Sequence, residues 1–160
     1  MSNQNRRELL EAFGRAMPDL QDANDTFDEV ASELFGINRT DMRVMSVVVR
    51  GGPISASELA DAAGLSRSAM TTSIDRLVAA RHVRRTPDAD DRRAIRIEAT
   101  PQVLKVCDAV WGPLAAEGAT MLARHPDAVL AAALEILHDA RALQEKHTER
   151  VRAMVRKRRR

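Results

Sequence analysis

The sequence predicts a mainly α fold with one small β-hairpin. Three observations carry this. Apolar residues recur at spacings of three and four over most of the 160 residues. The period changes to alternation only once, between Val83 and Ala99. Capping residues and glycines fall at the joints between periodic stretches. With 44% apolar and 30% charged residues, the composition is that of a soluble globular chain of one domain, or of two small lobes sharing a core. No run approaches the ~18 apolar residues of a membrane span. The start, MSNQNRRELLEAF, has no apolar signal-peptide core, so a cytoplasmic protein without a membrane partner is expected.

The first helix covers residues 5–35, with Leu9, Leu10, Phe13, Met17, Leu20, Phe27, Val30 and Leu34 on its apolar side. Pro18 is expected to kink or split it, and Gly36 to stop it. Asn38 caps the second helix, with Asp41 three residues on and Met42, Met45, Val48 and Val49 as its apolar face, before Gly51-Gly52-Pro53 ends it. Ser55-Ala56-Ser57-Glu58 reads as a capping box opening a short helix that holds Leu59 and Ala62. Gly64 breaks that helix, Leu65 forms a buried hinge, and Ser66 caps a third helix running to about Ala80.

A short strand at Val83–Thr86, a turn at Pro87–Asp91 and a second strand from Arg92 to Ala99 make the hairpin, with Ile95 and Ile97 on one side and Arg96 and Glu98 on the other. Thr100-Pro101 opens a helix to about Leu122, with a kink expected at Gly112-Pro113. Pro126 starts the last helix, which runs into the terminal arginines.

Charge is unevenly placed. The net of +2 comes from −5 over residues 1–38, +3 over 39–100, −3 over 101–149 and +7 over 150–160. Positive charge gathered in the middle and at the tail points to a polyanion. On the helix after Ser66, Met70, Ile74, Leu77 and Val78 form one buried face, and Arg67, Ser68, Thr71, Thr72 and Asp75 the opposite stripe. Short hydroxyl side chains let a helix approach a major groove, where an arginine pairs bidentately with guanine. The Ser66 end offers free N–H groups for a phosphate. A Ser/Thr face alone is often merely solvated; the capped helix and glycine turn before it favour DNA. Ser66, Arg67, Ser68, Thr71, Thr72, Asp75 and Arg76 are therefore the candidate contacts on this helix. Arg84, Asp91, Arg92 and Arg93 are the candidates on the hairpin, whose tip can enter a narrow minor groove with Asp91 orienting an arginine.

The stretch from Phe35 to Pro101 resembles the winged helix-turn-helix domain of MarR-family transcriptional regulators. SASELADAAGLSRSAMT, IDRL and RR-x-PDADDRRA, in that order and spacing, carry the likeness. The resemblance implies a winged helix-turn-helix lobe over 37–100, with helical dimerisation elements over 1–36 and 101–160. It also implies a homodimer that binds a near-palindromic DNA operator and usually represses. The family's wing motif falls on Asp91 and Arg93, and its recognition contacts on Arg67, Ser68, Thr71 and Thr72. One departure stands out: where the family commonly ends the recognition helix with glycine, this chain has Arg81, which costs on the order of 1 kcal/mol if the backbone is left-handed there.

Other chemistries find little support. The single cysteine, Cys107, rules out a disulfide framework within one chain and reads as core. His82, His125, His138 and His147 are scattered, so no metal is expected. No P-loop, GxSxG or dinucleotide fingerprint occurs, so neither a cofactor nor an enzyme is expected. Phe13, Met45 and Trp111 are candidates to line a pocket for a small aromatic or hydrophobic effector. The rival reading is an architectural protein that coats DNA through tail and wing without an effector.

Overall fold

A computed structural model describes residues 3–88, 91 and 94–158. Its elements are α1 (Asn3–Phe35), α2 (Arg39–Gly51), β1 (Ile54–Ser55), α3 (Ala56–Ala63), α4 (Arg67–Ala79), β2 (Val83–Pro87), β3 (Ile95–Ala99), α5 (Pro101–Leu122) and α6 (Asp127–Arg158). The chain divides within α5 into two compact units, Met1–Val110 and Trp111–Arg160. Among the described residues no helix is long and apolar enough to cross a membrane.

In the first unit, α2, α3 and α4 pack on one another and on the sheet, and α1 packs on α2 through its C-terminal end. The core is Met42, Val44, Met45 and Val48 from α2, Leu59, Ala60 and Ala63 from α3, and Met70, Ile74 and Leu77 from α4. Val83, Ile97 and Val103 close it. Several positions differ from the sequence expectation: Leu65 and Val78, expected to be buried, are half-buried. Val44 is fully buried while Val49 is only half-buried, and α3 buries Ala60 and Ala63 while Ala62 faces solvent. Both helices are enclosed from more than one side, so their buried arcs are wider or turned relative to a single stripe.

Three helices end alike. The N–H groups of Gly36 and Ile37 bond to Glu33 and Ser32, those of Gly64 and Leu65 to Asp61 and Ala60, and those of Arg81 and His82 to Val78 and Leu77. Each is a Schellman motif and needs a left-handed residue at its turn. Gly36 and Gly64 supply it at φ +64°, and Arg81 does so at φ +60°.

The sheet has three antiparallel strands in the order β1-β3-β2, one more than the expected hairpin. Ile54 pairs with Ile97, and Val83 with Ala99. A two-residue strand leaves no alternation to read, and Ser55 also serves as the N-cap of α3. Ile97 is 2% exposed, whereas Ile95, opposite Pro87 at the far end of the hairpin, is 48% exposed. The turn is closed by the Asp88 N–H on the Ala94 carbonyl and by Asp88 Oδ1 accepting from the Asp91 N–H.

Both long helices with an internal proline are unbroken. α1 runs through Pro18 and α5 through Pro113. Proline removes one backbone bond, and the turns on either side keep theirs. In the second unit no described residue of α6 is buried.

Candidate nucleic-acid interface

Helix α4 is capped by Ser66, whose Oγ accepts from the Ala69 N–H at 3.3 Å. Its inner side buries Met70, Ile74 and Leu77, together with Ser73. Its outer side exposes Arg67, Ser68, Thr71 and Thr72. The Thr71 hydroxyl donates to the Arg67 carbonyl and the Thr72 hydroxyl to the Ser68 carbonyl, each at 3.1 Å. Both threonines thus keep acceptor capacity on oxygen, beside a methyl group. Among the described residues Arg67 makes no ion pair. A rigid helix therefore presents one guanidinium and three short hydroxyl side chains, dimensions that suit a major groove.

The other candidate charges are occupied in tying elements together. Asp75 pairs with Arg85 of β2 at 2.6 Å. Arg84 pairs with Glu98 across the β2–β3 ladder. Arg96 bonds Asp88 in the turn and Glu58 of α3, at 3.0 Å for the latter. The exposed pairs, Asp75–Arg85 and Arg96–Glu58, contribute at most about 1 kcal/mol each, so they orient the hairpin on α3 and α4 more than they stabilise it.

Arg76 belongs to a different kind of contact. Its Nε and Nη2 donate to the two carboxylate oxygens of Asp41, both at 2.7 Å. Asp41 is 1% exposed. Its Oδ1 also accepts from Ser73 at 2.5 Å, and its Oδ2 from the Asn38 side-chain amide at 2.8 Å. Burial by itself would raise the carboxyl pKa; the bonds from Arg76, Ser73 and Asn38 outweigh it and hold the pKa below its ordinary value. Beside this cluster an open groove of about 480 Å³ is lined by Asn38, Arg39, Thr40, Ala69, Thr72 and Arg76. The sequence reading missed Arg39, Thr40 and the buried role of Asp41, although Asn38 as a cap marked the start of α2.

Asp91 is exposed in the turn, while Arg92 and Arg93 lie outside the described residues. Phe13 stands half-exposed on α1 and Met45 is enclosed in the core of the first unit. Trp111 is half-buried in the second unit. The Cys107 thiol is half-buried and its pKa is pushed up by that burial, which disfavours the thiolate. Among the described residues no group of three His, Cys, Asp or Glu side chains is placed to hold a metal.

Residues 35–94 match the family model described as MarR family. An HTH-type transcriptional regulator of Bacillus subtilis (strain 168), YcgE, is 26% identical over 126 residues, covering 79% of this chain and 82% of the relative. The crystal structure of RV1404 from Mycobacterium tuberculosis superposes with a TM-score of 0.61 at 23% identity, covering 89% of this chain and 96% of that one. MarR from E. coli in its apo form superposes with a TM-score of 0.53 at 22% identity, covering 78% and 91%. Both structures share the fold of this chain.

Proposed function

We propose that this chain, whose residues 35–94 match the MarR family model, is a MarR-type, sequence-specific, DNA-binding transcriptional regulator acting as a homodimer on a near-palindromic operator. The observation that carries this is the outer face of α4, where Arg67, Ser68, Thr71 and Thr72 stand exposed on a helix whose opposite side is locked into the core. In this reading the face enters the major groove, the Ser66 end of the helix approaches a phosphate, and Arg93, on which the family's wing motif falls, reaches the minor groove.

Assembly as a homodimer is supported by each unit separately. Along α1, Leu9, Leu10, Phe13, Leu20, Val30 and Leu34 are exposed. On α6, Leu134, Leu137, Leu143, Val151 and Met154 are exposed. Apolar side chains at helical spacing over two helices of this length are surfaces that a second copy covers around a two-fold axis. Two recognition helices then meet successive major grooves roughly 34–36 Å apart. The outcome of binding is repression, relieved by a small aromatic or hydrophobic effector that favours the free dimer.

Selection of bound duplexes from a random library, followed by footprinting, tests the reading. A single protected inverted repeat is expected. Protection that spreads with protein concentration along any DNA would overturn it in favour of an architectural coating protein.

A further inference from the structure

We propose that Asp41 is a positioning residue for DNA: buried beneath the recognition helix, it holds the Arg76 guanidinium so that its remaining N–H edge meets a backbone phosphate passing through the groove between α2 and α4. The inference rests on the DNA-binding reading and adds a contact to it. Arg76 uses Nε and Nη2 on Asp41. Its Nη1 has no partner among the described residues, and its side chain is 47% exposed where it lines the groove. The carboxylate that holds it also accepts from Ser73 and Asn38, and these bonds satisfy its buried oxygens. A guanidinium held in this way loses less freedom on meeting an anion than a free one does.

The surroundings suit a phosphate. Thr72 and Arg76 stand one turn apart on the same face of α4, so a strand whose bases meet Thr72 carries its backbone past Arg76. Thr40 and Arg39, whose guanidinium is paired with Asp25 of α1 at 2.8 Å, form the opposite rim. They lie in the first turn of α2, whose free N–H groups favour an anion.

A purely structural tie between α2 and α4 predicts a different result from a positioned phosphate contact, and the two differ in sign. Asp41→Asn removes a negative charge near DNA, so charge alone predicts tighter binding. The positioning role predicts weaker binding. The measurement is affinity against salt concentration, for a random-sequence duplex and for a duplex selected from a library. Asp41→Asn and Arg76→Lys are each expected to weaken both duplexes roughly tenfold, to leave their ratio unchanged, and to flatten the salt slope by about one per half-site. Lysine still neutralises Asp41 as a point charge but has no second edge of a fork to present. In the double variant the losses are expected to be smaller than their sum. Ser73→Ala disturbs the same buried cluster but leaves the Asp41–Arg76 pair, so it is expected to lower thermal stability without moving the slope.

Tighter or unchanged binding by Asp41→Asn with an unaltered slope overturns the proposal, as do additive losses. Where Asp41→Asn does not fold, Arg76→Lys and Ser73→Ala decide: a wild-type slope in the first, or an equally flattened slope in the second, overturns it. A wild-type protein that shows no preference for any selected duplex refutes the sequence-specific regulator but leaves the phosphate test on random DNA intact.

Discussion

Arg81 sits at φ +60° because the Schellman turn after α4 admits no other backbone geometry. A side chain there crowds the following carbonyl, and glycine does not. The Thr100 bonds to this segment involve the Arg81 and His82 backbone carbonyls and survive substitution. Arg81→Gly is therefore expected to raise stability by about 1 kcal/mol, read as a higher urea midpoint at unchanged slope. Asp41 makes the opposite kind of contribution. Its folded pKa lies below the unfolded value of 3.8. Stability from ionised Asp41 is thus fully present above that value and is lost as pH falls through the lower folded pKa. The stability gap between wild type and Asp41→Asn is expected to be constant from neutral pH to about pH 5, and to close only under stronger acid. Acid titration of both proteins in denaturant checks this; a gap already closing near neutral pH contradicts it.

At the scale of elements, caps decide where helices begin. Ser55 accepts from the Glu58 N–H at 3.2 Å, and the Glu58 carboxylate accepts from the Ser55 N–H at 3.0 Å. Glu58 also receives Arg96 from β3, so one carboxylate both starts α3 and ties it to the hairpin. Ser55→Ala is expected to cost about 1 kcal/mol, with hydrogen exchange accelerated chiefly in α3. The outer face of α4 should behave in the reverse way. Arg67→Ala or Thr71→Ala is expected to relax discrimination at particular base pairs by roughly 1–3 kcal/mol, while stability stays within about 0.5 kcal/mol of wild type. Competition between single-base operator variants separates this from the uniform loss expected of Arg76→Lys. If neither substitution changes base preference, the face is solvated rather than read.

At the scale of the molecule, the proposed homodimer rests on apolar residues of α1, such as Leu10, Phe13 and Val30, that are exposed. Val30→Asp on α1 is expected to shift the assembly toward the 17.7 kDa monomer, without unfolding the winged helix. Sedimentation of wild type and variant at micromolar concentration tests it, and a wild type that sediments only as monomer refutes the dimer.

Much of this fold was legible in the residues because its joints are local. Asn38, the Ser55–Glu58 box, Ser66 and Thr100 each satisfy backbone groups within three or four residues, so their chemistry is visible in sequence. The same holds for the left-handed glycines, whereas the geometry of Arg81 was signalled only by the glycine that the resembled family has at that place. The exposed stripe of α4 followed from its period. What stayed hidden depends on partners far along the chain. Asp41 reads as an acidic residue in a helix first turn, and Ser73 as one more hydroxyl beside Thr71 and Thr72. Only packing of α4 on α2 brings Ser73, 32 positions away, and Arg76, 35 positions away, onto one buried carboxylate. Strand β1 was invisible for a related reason, since two residues become a strand only when β3 pairs with them. Sequence by itself determined the helices, their caps and the exposed face proposed to meet DNA, because those follow from nearest-neighbour geometry. Tertiary structure alone decided which charges are tied and which stay free, because pairing between distant residues is set by the distances and angles at which elements pack.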